Sequence, residues 1–463
     1  MSEAIRSPGS AARWTYRLVM LGALALMLRL NWPGHLSVDS VLALHEGRFH
    51  LRETWNPAIF GWLLGQADAV VEGTGLAVAI SGALLFAAWA VLAQLRPVTS
   101  WLAPIVALAA VALPQVMIYP GIVWKDVWFA ECSIAGFVAL ALALRSGVAA
   151  PRWAWLLVSA LLFAVAGLLR QNGLILAAPA AIAIAWAGWP RGRVRSAGGA
   201  VAWLVLVAAA TFALSVYAQP QGVDEPDDAG ARGVRIVQTY DIAAAVTRTP
   251  LPLSHIDRFD PTLDDFIRSE APKVFSPTRV DTLDDDSALN DRMLQVPSDV
   301  LRAEWFDLMR QHPGLYLKVR AEDFRQVFAT PEIDRCLPIY VGIDGPAPAM
   351  HDLKLKTRRA VNDGRLYNYS TWYMDTPALS HITYAAIALI VGLVLLWRRD
   401  PADLAMAAFM AGALGFAASF FVISIACDYR YLYLLDMAAI TGVLYLALDP
   451  RISRPPERRQ ARH

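Results

Sequence analysis

Long uninterrupted apolar runs alternate with short polar connections along the chain, and that alternation predicts its elements. Apolar runs occupy residues 14–30, 76–95, 101–119, 127–144, 153–169, 173–189 and 200–217. After a long polar stretch they return at 378–397, 404–425 and 431–448. Each is close to the roughly 20 residues a helix needs to cross hydrocarbon, so about ten membrane spans are expected. Pro114 and Pro179 fall inside such runs, where membrane helices tolerate them. One more apolar stretch, 59–71, is short and is interrupted by Gln66 and Asp68.

The arginines decide the status of that stretch. If it does not span, Arg96, Arg145 with Arg152, Arg191 with Arg193 and Arg195, and Arg398 with Arg399 all fall on one side, together with both basic termini. The positive-inside rule makes that side cytoplasmic. If it spanned, every later connection would flip while the N-terminus stayed. Residues 59–71 are therefore expected as a juxtamembrane helix in the outer interface. The first apolar run lacks a small-residue cleavage site before Asn31 and is read as a retained helix. The expectation is a multi-pass protein of the cell's inner (plasma) membrane with both termini cytoplasmic.

The resulting layout is an N-terminal membrane domain at 1–217, with about seven spans and a first outer loop at 31–75. An extracytoplasmic domain follows at 218–376, then a C-terminal membrane domain of three spans at 377–450 and a basic tail at 451–463. The outer insert is rich in Asp but carries Trp305, Phe306, Phe324 and Phe328, so it is expected to fold. Ser298 can cap a helix with Leu301, Trp305, Leu308 and Met309 on one face. Pro313-Gly314 breaks that helix, and a second runs over 315–328. The fold class is thus an all-α polytopic membrane protein with an outer-loop juxtamembrane helix and a mainly helical α+β extracytoplasmic insert.

Composition agrees. Hydrophobic residues make up 56% and charged residues 17%, against roughly 25% charged in soluble domains. A net charge of +1 offers no field for nucleic acid, and no nucleic-acid partner is expected. Cys132, Cys336 and Cys427 form neither a disulfide framework nor a zinc pattern. Cys336 and Cys427 could pair outside, but two unrelated free thiols are expected.

Candidate chemistry collects on the outer side. Asp39 follows the first span, on a short helix whose face carries Val38, Val41, Leu42 and His45. A carboxylate there could act as a general base on an incoming hydroxyl; by spacing alone a helix cap formed with Ser37 is favoured. Lys125 and Asp126 stand at the outer end of a span, where Lys125 could bind a lipid phosphate or simply anchor the interface alongside Trp124 and Trp128. Arg170-Gln171-Asn172 and Asp428-Tyr429-Arg430-Tyr431 each place an arginine where the positive-inside rule makes it uncommon. Anion binding or a salt bridge would account for either. His35, His45 and His50 match no metal-ligand spacing and are read as solvated loop residues.

With these residues in place the layout resembles the GT-C class of membrane glycosyltransferases, which includes protein O-mannosyltransferases and bacterial aminoarabinose transferases. The resemblance rests on Asp39 after the first helix, on the Pro-led stretch Trp55-Asn56-Pro57-Ala58-Ile59, and on Arg430-Tyr431 opening the last helix after a large outer insertion. The stretch from Trp305 through His312-Pro313 and Tyr316-Leu317 to Arg320 is similar to segments of GT-C-like bacterial proteins. The resemblance implies transfer of a sugar from a polyprenyl-phosphate donor to a glycan, lipid or protein acceptor of the cell envelope, at the outer leaflet among membrane lipids. Asp39 matches the base by position. Asn56, Lys125, Asp126, Arg170, Asn172, Asp428, Arg430 and Tyr431 are the candidate substrate contacts. The chain departs from the pattern at Ser40, where many relatives carry a second acid, and at Asn56-Pro57-Ala58, where relatives often carry His-Pro-Pro. No cofactor is assigned, and the first departure leaves a divalent metal without motif support. Rival classes are a transporter or flippase of lipid-linked saccharides, which would place polar residues deep along a path, and a polymerase or ligase using paired arginines of the outer loops.

Overall fold

A computed structural model describes residues 8–54, 56–146, 148–219, 229–284 and 287–452. Trp55 and most of the basic tail lie outside the described residues. The first ten helices are α1 (Pro8–Asn31), α2 (Val38–Phe49), α3 (Ala58–Val70), α4 (Gly75–Leu92), α5 (Leu102–Val111), α6 (Pro114–Met117), α7 (Lys125–Arg145), α8 (Ala149–Leu169), α9 (Ala177–Gly188) and α10 (Arg193–Ala218). The insert contributes α11 (Ala229–Arg248), α12 (Ser254–Phe259), α13 (Pro261–Val274), α14 (Asp281–Asp284), α15 (Ala288–Leu294), α16 (Ser298–Gln311) and α17 (Pro313–Ala329). Then come α18 (Ala347–Asp352), α19 (Val361–Thr371), α20 (His381–Arg398), α21 (Pro401–Ile423) and α22 (Tyr433–Leu448). Among the described residues there are three isolated β-bridges and no named strand, so the insert expected as mainly helical α+β is helical.

The protein is a polytopic membrane protein. Nine helices among the described residues are long and apolar enough to cross a bilayer. A tenth span exists if Leu102–Val111 and Pro114–Gly121, bent by 81°, count as one. The sequence read 101–119 as one continuous span with a tolerated proline. Instead Pro114 starts a new helix at its first position, where its missing N–H costs nothing. The break leaves the Ala112 carbonyl without a helical donor; the hydroxyls of Tyr369 on α19 and of Tyr373 just beyond it donate to it. Helix α3 has 13 residues, about 20 Å at 1.5 Å per residue, short of a roughly 30 Å core.

The chain divides into two compact units. The first holds the described residues up to 219, Ile339–Phe416, and the chain from Tyr433 onward. At one end of this bundle the arginine-bearing connections meet. Arg13 donates to the carbonyls of Arg96 and Pro97 (both 2.8 Å), and Arg96 and Arg398 share the buried carboxylate of Asp403. At the other end the first connection is threaded between two segments. His35 N–H donates to Gly121 O (2.9 Å), Val123 N–H to His35 O (3.0 Å) and Leu36 N–H to Gly342 O (2.9 Å). His35 was expected to be solvated; it is 1% exposed. Its Nε2 meets Asn31 Oδ1 at 3.0 Å and its Nδ1 accepts from the Gly342 N–H (3.0 Å) and Arg358 (2.9 Å). Three ring contacts replace the water that a loop histidine would otherwise keep. His45 is likewise buried, between Glu53 and Asp352.

Helices α2 and α3 cross at glycines. A Cβ on Gly47 would collide with the Gly61 carbonyl, and one on Gly65 with the Gly47 carbonyl. Backbone meets backbone there, as small residues allow.

The second unit comprises the described residues from α11 to Pro338 together with Ala417–Leu432. Its apolar core joins Tyr240, Ile256, Leu263, Ile267, Leu289 and Leu301 to Ile425 and Ala426. Arg320 is fully buried between Asp323 (2.8 Å) and Asp241, and it donates to the carbonyls of Val422 (2.9 Å) and Ser424 (3.0 Å). Trp305 Nε1 donates to Asp241 (2.8 Å). Cys336 and Cys427, expected as free thiols, form a disulfide with Cα atoms 4.9 Å apart. Separated by 91 residues, they are brought together because 417–432 packs into the insert. Cys132 is free and buried.

Candidate functional site

The site starts from the turn that begins α2. Ser37 is the cap residue, and its N–H donates to Ser40 Oγ (3.2 Å). Ser40 Oγ donates in turn to the Val123 carbonyl (2.6 Å), and Trp124 Nε1 donates to Ser37 Oγ (2.9 Å). Both serines thus tie α2 to the two residues that precede α7. The cap expected of Asp39 falls to this serine pair; Asp39 lies inside the first helical turn, half-buried, where the helix dipole favours a carboxylate. Ser40, which stands where relatives carry a second acid, is fully buried and occupied by this tie.

Asn56 joins the two sides. It is 3% exposed; its Oδ1 accepts from Lys125 Nζ (3.0 Å) and its Nδ2 lies 3.5 Å from the Asp39 carbonyl oxygen. The Asn56 carbonyl accepts from Arg52, which also lies 3.7 Å from Glu46. Asp39, Asn56 and Lys125 are therefore assembled from α2, the start of α3 and the start of α7. Next to Lys125, Asp126 is buried and pairs with Arg170. Asn172 is half-buried in the short 3-10 segment after Arg170.

In the second unit Arg430 pairs with Asp428 (3.0 Å), so the salt bridge anticipated as an alternative for both arginines is present at each. Such a pair also fixes a guanidinium in orientation. Tyr431 stacks on Phe420 with ring centroids 5.8 Å apart. Among the described residues no group of three His, Cys, Asp or Glu side chains is disposed to hold a metal ion.

Several polar contacts of the site were not foreseen from sequence. Ser37, Ser40 and Trp124 bond through side chain and backbone, which no spacing announces. Arg358, which donates to His35 and to the Gly34 carbonyl (2.9 Å) and pairs with Asp363 (3.2 Å), comes from more than 300 residues away. Inside the spans, Ser81 donates to Glu131 and His381 meets Asp436 at 2.8 Å. Both pairs link separate helices, α4 to α7 and α20 to α22.

No family model and no curated protein matches the chain. Among solved structures, it is similar to the Archaeoglobus fulgidus oligosaccharyltransferase AglB in complex with an inhibitory peptide and a dolichol-phosphate. Identity there is 15% and the TM-score 0.40, over 93% of this chain and 50% of that one. It is also similar to ArnT from Cupriavidus metallidurans bound to undecaprenyl phosphate, at 14% identity and TM-score 0.36, over 93% of this chain and 77% of that one. The chain thus spans about half the length of the oligosaccharyltransferase. Both neighbours are GT-C glycosyltransferases, the class the sequence resembles. Likeness this slight carries no argument about this chain's chemistry, which stands on its own residues.

Proposed function

We propose that the protein is an integral membrane glycosyltransferase that moves a sugar from a polyprenyl-phosphate donor to a cell-envelope acceptor on the extracytoplasmic face of the plasma membrane. The observation carrying this reading is the Asp39–Asn56–Lys125 assembly. Through Asn56 it joins the backbone of the first turn of α2, which carries the Asp39 carboxylate, to the Lys125 ammonium at the end of a span. The carboxylate of Asp39 takes the proton of the acceptor hydroxyl as its oxygen attacks the anomeric carbon. The bond from that carbon to the donor phosphate oxygen breaks, configuration inverts, and polyprenyl phosphate leaves with the bonding pair. Lys125, and Arg170 oriented by Asp126, stabilise the charge growing on that phosphate.

A transporter would be expected to line a path with polar groups. Here the buried polar pairs Glu131–Ser81 and His381–Asp436 bind helix to helix, which favours transfer over passage.

Asp39→Asn is the deciding experiment. Asn retains size and helix-start preference but cannot accept the proton. Transfer from polyprenyl-phosphate donors in proteoliposomes should fall by at least about 100-fold, the lower end of general-base contributions, with membrane insertion unchanged. Wild-type transfer by Asp39→Asn would remove Asp39 as base, and a wild-type protein that transfers no sugar from any lipid donor would leave transport as the reading.

A further inference from the structure

Between Leu353 and Tyr373 the chain carries five basic residues and one acidic residue. Two of the five are spent within the protein. Arg358 reaches His35, the Gly34 carbonyl and the buried Asp363, and Arg359 lies 3.5 Å from Asp344. Lys354, Lys356 and Arg365 are exposed, and among the described residues their side chains make no hydrogen bond or ion pair. The same segment leaves apolar surface uncovered: Val361 is 77% exposed and Trp372 78%.

This segment is seated on the ends of membrane helices. Helix α19 buries Asp363, Leu366 and Ser370, which share one helical face. Near its start Asn362 donates to the Leu30 carbonyl (3.0 Å), in the last turn of α1. Just past its end Tyr373 donates to the Ala112 carbonyl (3.0 Å), where α5 stops. Helix α19 thus lies across helix ends at head-group depth, at the far end of α1 from Arg13 and the arginine cluster that Arg13 joins.

We propose that residues 353–373 form a docking surface for anionic phospholipid of the surrounding bilayer. Lys354, Lys356 and Arg365 meet the head groups, and Val361 and Trp372 enter the acyl boundary. The inference holds whatever reaction the protein performs. Its grounds are charge and position together. Multi-pass proteins concentrate loop cations at one end of the bundle, and here that end is the one holding Arg13, Arg96 and Arg398. Three unpaired cations at the opposite end call for an anion. A soluble polyanion would satisfy them and leave the indole and the valine in water. A zwitterionic lipid would cover the apolar side chains and leave the net charge unmet. Anionic lipid answers both, as for interfacial helices with a basic face.

The test uses the full chain in nanodiscs of mixed phosphatidylcholine and phosphatidylglycerol, with a photoactivatable analogue of each. The phosphatidylglycerol probe should label peptides within 353–373 in preference to the phosphatidylcholine probe. A cation near a charged bilayer contributes about fivefold to lipid attraction. The triple variant Lys354→Gln, Lys356→Gln, Arg365→Gln should therefore cut phosphatidylglycerol labelling at least about tenfold and leave phosphatidylcholine labelling unchanged. These side chains hold nothing in the fold, so the variant should keep the wild-type elution volume. A second measurement needs no variant: raising salt should weaken the preference of the wild-type chain, because the cations are exposed and screened. Equal labelling by the two probes, or a preference indifferent to both salt and the triple variant, would overturn the proposal. Displacement of the phosphatidylglycerol probe by soluble polyglutamate at matched ionic strength would make the partner a polyanion outside the bilayer and overturn it too.

Discussion

Single residues carry most of the testable content. His35 is buried against Arg358 and Asp363, and burial first, the Arg358 charge second, push its pKa down to about 4. The folded protein therefore holds His35 neutral while the unfolded chain protonates it near the ordinary 6.5. Stability from this group is fully present above that value and is lost as pH falls toward 4, by on the order of 3 kcal/mol. Thermal unfolding in detergent at pH 7, 5.5 and 4 should show the loss, and His35→Gln should flatten it. Identical pH profiles would relocate the sensitivity elsewhere. Arg430 poses a different question. If its fork holds a phosphate, Arg430→Lys should raise the KM for the lipid donor about tenfold, the scale of one charge-assisted hydrogen bond, and leave the acceptor KM alone. An unchanged donor KM would make it only the partner of Asp428. Asp39, Lys125 and Asn56 were each legible in the sequence as polar residues next to apolar helices. Their assembly was not, because it runs through Asn56, 17 residues from Asp39 and 69 from Lys125.

At the scale of elements, the spans were read from length and hydropathy because the bilayer imposes both. The bend at Pro114 escaped that reading, since an apolar run looks the same whether it crosses straight or turns. Helix α3 was read correctly as too short to cross, its arginine-based side assignment agreeing with the cluster of Arg13, Arg96 and Arg398 at one end of the bundle. What the sequence could not reveal is how closely α3 meets α2. Gly47→Ala should force the two helices apart and displace Asp39, lowering the yield of assembled protein. Gly22→Ala, at a position with nothing within 4 Å, should be silent. Equal yields of monodisperse protein for the two variants, by size-exclusion chromatography, would show that the crossing has slack.

At the scale of the whole molecule, the disulfide bears on compartment. Disulfides persist in oxidising surroundings, so Cys336–Cys427 supports an extracytoplasmic second unit, as the arginine count requires. Denatured protein from isolated membranes should take one maleimide-polyethylene glycol label, on Cys132, before reduction and three after it. Three labels without reduction would place that unit in a reducing compartment. In the same unit, burial holds the carboxyls of Asp241 and Asp323 above the ordinary range although Arg320 lies between them. Their contribution to stability therefore grows on mild acidification, opposite in sign to that of His35.

The second unit is encoded in two pieces. Its helices α11 to α17 leave the ribosome about 100 residues before Ile425 and Ala426, which complete their apolar core, and before the Val422 and Ser424 carbonyls that receive Arg320. During synthesis the insert must wait, its core open and the Arg320 Nη1 donor unmet, until α21 has been made. Maturation of the second unit is thereby made to follow synthesis of α21. A chain that stalls before α21 displays an unfinished core to proteases, so quality control over the insert doubles as proofreading of α21.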